Sequence, residues 1–219
     1  MENLKIEAVI FDLDGVLVST DRFHYLAWKR LADQLGIYFD EKINSRCRGV
    51  SRRDSLEILL EGSSAIYSQE EKEQFLTLKN QWYREYLEEI SPSEVDNTVR
   101  DTLRILRDRG YKLAVGSSSK NAGLILEKAG LTEVFDTISD GNGIKKSKPD
   151  PEVFLKAAAE LKAPPKACLV VEDAVSGLIA ARAGGMKAAA VGDAVNCEYA
   201  DYCLKHVSDL LAVLEPRRK

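Results

Sequence analysis

What most constrains this chain is a rhythm: short apolar runs of strand length alternate with amphipathic stretches of helix length, and the alternation breaks off once. Ile6–Phe11 (IEAVIF), Tyr111–Ser117 (YKLAVGS), Ala167–Glu172 (ACLVVE) and Lys187–Gly192 (KAAAVG) read as buried strands, with Val134–Ser139 (VFDTIS) a weaker one. Between them Val99–Arg109, Asn121–Ala129, Pro151–Leu161 and Val175–Ala183 read as helices. Strands alternating with helices in this way predict right-handed βαβ units and a parallel sheet covered on both faces. From about Thr20 to Glu89 the strand pattern is missing, and Phe23–Leu35, Asp54–Leu60 and Gln69–Leu87 are amphipathic instead. In the last of these, Phe75, Leu78, Trp82 and Tyr86 recur at helical spacing, which predicts a buried face along them. The predicted architecture is α/β: a Rossmann-like parallel-sheet core in residues 1–18 and 93–219, interrupted after its first strand by an all-helical insertion in residues 19–92. Ser91–Asn97 (SPSEVDN) serves as the return linker.

Composition narrows the function classes. With 45% hydrophobic and 30% charged residues the 219-residue chain has the means to build a packed core. A net charge of -4 and the lack of a basic stripe argue against nucleic acid as a partner. No apolar run approaches the roughly 20 residues that span a bilayer, so no membrane partner is expected. The opening MENLKIEAVIFDLDG reads as lacking a signal peptide, which makes a cytoplasmic location the expectation. Of the four cysteines, none forms a C-x-x-C pair, and His24 and His206 are the only histidines, so a zinc site is not expected. Cys168 and Cys203, set in or beside apolar runs, are expected to be small buried thiols.

Four polar signals fall where an open parallel sheet places functional residues, just past the carboxyl ends of strands. FDLDG puts Asp12 and Asp14 two residues apart, and residues i and i+2 of a strand face the same side. GSSSKN offers the hydroxyls of Ser117, Ser118 and Ser119 with Lys120 and Asn121 at a strand-to-helix junction, where free N–H groups favour anions. In KKSKPDPEVF, Lys148 precedes Pro149 and is biased towards extended backbone, from which it can reach into a cleft. LVVEDAVSG ends an apolar strand on Glu172 and Asp173, a costly pairing unless a cation lies between these carboxylates and Asp12. Magnesium, a hard oxygen-seeking ion, meets that need. Each signal alone has an ordinary reading: a polar turn, an N-cap, a solvated lysine, a solvated strand end. In order, at successive strand ends, they supply the nucleophile, metal and charge neutralisation that phosphoryl transfer requires.

These four segments resemble the motifs of the haloacid dehalogenase superfamily, and the helical insertion resembles its C1-type cap. HYLAWKRLADQLGI, RGVSRRDSLEILL, SSSKN and SKPDPEVF are similar to the β-phosphoglucomutase family within it. The resemblance implies that Asp12 is the phosphorylated nucleophile and Asp14 the general acid/base, with Ser117, Ser118 and Lys148 on the transferring phosphoryl group. It implies Mg2+ held by Asp12, the Asp14 main-chain carbonyl, Asp173 and Glu172. Arg52 would grip the substrate's other phosphate, helped by Ser119, Lys120 and Asn121, while His24, Trp28, Ser55 and Lys79 close over the sugar. The implied activity interconverts β-D-glucose 1-phosphate and glucose 6-phosphate, the partner is a small sugar phosphate, and a monomer is expected. Two features depart from the pattern. Ala174 stands where a serine is common, and EVDNTVRD lacks the usual Pro-Gly before the core resumes. A sugar-phosphate phosphatase would use the same core parts. A receiver-type phospho-acceptor switch would be shorter and would carry no helical insertion.

Overall fold

The computed structural model describes residues 5–48, 50–192 and 198–216; Cys197 and Gly49 lie outside them, as do the first four residues of the amino-terminal stretch. By its internal contacts the chain divides into two compact units, one made of the segments up to Ser19 and from Ser91 onward, the other Thr20–Ile90.

The helical unit contains α1 (Asp21–Leu35), the short α2 (Glu41–Ser45), α3 (Arg52–Leu60) and α4 (Gln69–Leu87). Local chemistry sets their ends. Gly36 closes α1 at a φ of 66°, a left-handed conformation that a glycine adopts without strain. Ser68 and Glu71 form a reciprocal capping box at the start of α4, an arrangement whose serine is worth about 1 kcal/mol. The buried stripe of α4 differs from the expected one. Leu76, Lys79, Trp82, Tyr83 and Leu87 are buried, whereas Phe75, Leu78 and Tyr86 are half-buried. The face is turned by about one position, because the packing of α4 on α1 accommodates a lysine that a hydropathy pattern assigns to solvent.

The other unit is built on a six-stranded parallel sheet in the order β3-β2-β1-β4-β5-β6. Its strands are β1 (Ala8–Phe11), β2 (Lys112–Gly116), β3 (Thr137–Ser139), β4 (Cys168–Glu172), β5 (Lys187–Val191) and β6 (Tyr202–Leu204). Helices α5 (Asn97–Asp108), α6 (Ala122–Lys128), α7 (Glu152–Glu160), α8 (Val175–Ala183) and the one-turn α9 (Leu210–Val213) accompany them. Central β1 and β4 are buried along their whole length, as expected of parallel strands covered on both faces. The α/β expectation holds, with two local corrections. The strand read from Val134 begins at Thr137, because Thr132–Val134 closes into a 3-10 turn. Cys203 is exposed rather than buried: it lies in edge strand β6, where Leu204 turns inward and its neighbour outward. Cys168 is buried.

Chain direction then places the chemistry. All six strands run parallel, so their carboxyl ends gather along one edge of the sheet. The strand order reverses around β1, whose two neighbours are β2 and β4. That switch point is where an open α/β sheet leaves a crevice.

Candidate active site

Asp12 follows the last residue of β1, and its N–H still donates to the Val171 carbonyl at 2.9 Å, so the backbone there is held by the ladder. β1 stops at Phe11, which means that Asp12 and Asp14 leave the strand rather than line it, and the pleat argument does not govern them. Asp12 is buried and Asp14 half-buried. Gly15 turns the chain at a φ of 82°, and its N–H donates to the Val18 carbonyl at 2.9 Å. A Cβ at Gly15 would collide with the Asp173 carboxylate, so the missing side chain is space that Asp173 occupies.

Lys148 arrives from the loop before α7 through a cis peptide to Pro149 and is 5% exposed. Its ammonium donates to both Asp12 Oδ1 and Glu172 Oε1. The chain itself thus supplies one cation between Asp12 and Glu172, the Lys148 ammonium. Burial lowers the lysine's proton affinity, but the Asp12 and Glu172 charges outweigh it and hold Lys148 above its ordinary value, as a cation. Burial raises Glu172, Lys148 lowers it and Asp12 raises it again, with a net result of about 7. The second oxygen of Glu172 accepts from the Ala174 N–H at 2.9 Å. The departure at Ala174 thus leaves its useful donor, the backbone amide, in place. Gly177 gives Glu172 room, since a Cβ there would come within 2.6 Å of the glutamate Cγ.

Asp12, Glu172 and Asp173 each offer a carboxylate oxygen, all within 4.8 Å of one another. Three carboxylates against one ammonium leave a cluster two charges negative when all are ionised. An all-oxygen donor set with that residual charge fits a hard divalent cation such as magnesium. The Asp14 side chain stands outside this group.

Beside it, the serine loop leaves β2. Ser117 is buried, its N–H donates to the Ser139 carbonyl at 3.0 Å, and its Oγ accepts from the Ser119 N–H at 3.1 Å. Ser119 Oγ accepts from the Asn121 N–H at 3.2 Å. Two of the hydroxyls therefore brace the loop itself. Ser118 Oγ is buried and forms no hydrogen bond among the described residues, which leaves it able to receive a ligand. Asn121 is buried and Lys120 exposed. A brace that sequence reading missed comes from the loop after β3: Asn142 Nδ2 donates to the Lys120 carbonyl at 2.9 Å, and Gly141 N–H to the Ser119 carbonyl at 3.1 Å.

The helical unit carries its own cluster. Lys79 is 1% exposed, and its Nζ lies 3.0 Å from His24 Nδ1, 4.7 Å from the Trp28 ring centre and 4.4 Å from that of Tyr83. The His24 ring lies tilted against Tyr83, with centroids 4.2 Å and planes 35° apart. An ammonium can only donate, so Nδ1 accepts and the imidazole proton sits on Nε2. Burial first, then the charges of Lys79 and Arg52, keep His24 well below the usual histidine value, hence neutral. Arg52 opens α3, where the helix dipole disfavours a cation. Desolvation lowers its proton affinity, and its guanidinium meets no carboxylate among the described residues. Arg53 behaves differently, pairing with Glu73 and with Gln69 at 3.4 Å to fasten α3 to α4. Ser55 is buried with its hydroxyl donating to the Ser51 carbonyl at 3.1 Å, a bond within its own helix.

A parallel sheet with a helical insertion after β1, and an Asp, Ser, Lys and Glu-Asp set along one sheet edge, define a phosphoryl-transfer type of fold and site. Residues 6–185 match the family of haloacid dehalogenase-like hydrolases, and the chain belongs to that family. Among curated relatives it is 38% identical to the β-phosphoglucomutase of Bacillus subtilis (strain 168), over 94% of this chain and 92% of that one. It is 33% identical to a phosphorylated-carbohydrate phosphatase of Thermotoga maritima, covering 83% of each chain. Among solved structures, β-phosphoglucomutase from Clostridium difficile superposes with a TM-score of 0.87 at 35% identity, covering 94% of this chain and 93% of that one.

Proposed function

We propose that the chain is a magnesium-dependent β-phosphoglucomutase, interconverting β-D-glucose 1-phosphate and glucose 6-phosphate through an aspartyl-phosphate enzyme and a bisphosphate intermediate. The observation that carries the choice is Arg52. A partly desolvated guanidinium at a helix start, near enough to His24 for its charge to be felt there, lowers the stability of the free protein. Such a cost is offset when an anion arrives, and a planar guanidinium binds phosphate in two-pronged fashion. A mutase handles a sugar with two phosphates, so it needs a ligand for the one that is not reacting.

In this reading an Asp12 oxygen attacks phosphorus, and the departing sugar oxygen takes its proton from Asp14. The phosphoryl group then passes from Asp12 to a different hydroxyl, whose proton returns to Asp14. Lys148, Ser117 and the unpartnered Ser118 hydroxyl neutralise and orient the transferring oxygens. Asp12, Glu172 and Asp173, with the Asp14 carbonyl, would hold magnesium, which supplies further charge neutralisation. Ser119, Lys120 and Asn121 are assigned to the substrate on the sheet side. Arg52, Lys79, His24, Trp28 and Ser55 are assigned to it on the helical side, Trp28 acting chiefly by seating Lys79. The phosphatase relative supports a second reading, hydrolysis of a sugar phosphate by the same parts.

Phosphorus NMR separates the two. With β-glucose 1-phosphate, magnesium and a trace of bisphosphate, the glucose 6-phosphate signal should grow while inorganic phosphate stays flat. Growth of inorganic phosphate alone would sink the mutase assignment.

A further inference from the structure

One fully buried ring at the sheet edge has no part in the reaction just described. Phe154 lies in the first turn of α7, six residues beyond Lys148 in SKPDPEVF. Its ring centre stands 4.8 Å from Lys148 Nζ. The same ring fills the space over Gly116, where an added Cβ would fall 2.6 and 2.8 Å from two ring carbons. Gly116 is the last residue of β2, and Ser117 follows it.

We propose that Phe154 is a positioning residue for phosphoryl transfer: its ring holds the Lys148 ammonium at Asp12 and seats the Gly116–Ser117 backbone, aligning both groups assigned to the transferring phosphoryl. This deepens the phosphoryl-transfer reading and rests on it. Lysine is a point charge on a flexible stem, so an ammonium between two carboxylates has no fixed geometry of its own. The negative face of an aromatic ring attracts it from a third direction without competing as a base. The charge at Asp12 moves onto phosphoryl oxygens once that carboxylate is phosphorylated, so the direction of its pull on Lys148 changes. The ring is the part of the cage that does not change. Gly116 ties the device to the second group, because any side chain there would expel the ring from beneath the serine loop.

A core-filling role predicts something else: Leu or Met, similar in volume and apolar, would serve as well. The test measures kcat/KM for magnesium-dependent turnover of acetyl phosphate, with melting temperature in parallel. Phe154→Leu and Phe154→Met should each lose about tenfold in kcat/KM, and Phe154→Tyr, which keeps the ring face, should recover most of it. Val153→Ala, on the same helix and equally buried, should lower the melting temperature while leaving kcat/KM near wild type. In a Lys148→Ala background the Phe154→Leu change should cost clearly less than about tenfold, since the part of its effect that runs through the ammonium is gone and only the part through Ser117 remains. Wild-type kcat/KM in the Leu and Met variants, or an undiminished loss without Lys148, overturns the proposal. A wild-type protein that fails to turn over acetyl phosphate with magnesium overturns the phosphoryl-transfer reading itself, a distinguishable outcome.

Discussion

The two units treat buried charge in opposite ways. At the sheet edge every buried charge faces an opposite one: Lys148 lies between Asp12 and Glu172, and Glu172 has the Ala174 amide as well. The helical unit differs at Arg52. Lys79 rests on His24 and two aromatic faces, and Arg52 meets no carboxylate among the described residues. The first arrangement ties Asp12, Lys148 and Glu172 into one ion-pair cluster. In the second, the desolvated Arg52 guanidinium leaves a charge that an anion would settle. If the proposed function holds, chemistry falls to the first cluster and substrate affinity to the second, and substitutions should separate them.

The largest effect should come from the paired side. Asp12→Asn removes the proposed nucleophile, and steady-state turnover should fall on the order of 10⁵-fold with the circular dichroism spectrum unchanged. Asp14→Ala should slow turnover by about 10²–10⁴-fold, the usual contribution of general acid/base catalysis. Its magnesium affinity by calorimetry should stay near wild type, because the Asp14 side chain stands outside the acidic cluster. A collapse in metal affinity would make that carboxylate a ligand and break the assignment.

On the cationic side, Arg52→Ala should lower mutase turnover by about 10²-fold, the scale of a lost two-pronged phosphate contact. Acetyl phosphate has no second phosphate, so its hydrolysis should drop only slightly. Equal losses in both assays would erase the distinction between the units. The smallest effect concerns His24, whose proton affinity is lowered in the folded state by burial, Lys79 and Arg52. The unfolded chain binds a proton there near pH 6.5 and the folded one only at lower pH, so this contribution is present above 6.5 and is lost as pH falls below it. Urea denaturation at pH 7.5 and 5.5 should show wild type losing about 1 kcal/mol more than His24→Gln. The same loss in both proteins would place the titration elsewhere.

Legibility in the sequence followed the same divide. The apolar runs that became β1, β2, β4 and β5, and the helix at Val175–Ala183, were readable because parallel central strands are apolar throughout and must be flanked by helices. Short β6 and α2 carry too few residues to show a period. In the site, the carboxylates, serines and Lys148 could be picked out by residue type at strand ends. Their supports could not. Gly177 and Gly15 matter for the atoms they lack, and Asn142 acts from a loop whose approach only the fold sets. The buried Lys79 belongs to the turned stripe of α4, since hydropathy has no way to register the aromatic faces of Trp28 and Tyr83.

The strand order has a consequence for synthesis. β1 is made first, yet its partners begin at Lys112 and Cys168, and the helical unit is translated in between. At about 5–20 residues per second, the four apolar residues Ala8–Phe11 wait for several seconds at least before β2 leaves the ribosome. The strand that leads to Asp12 therefore remains an unpaired edge for as long as the helical unit takes to be made.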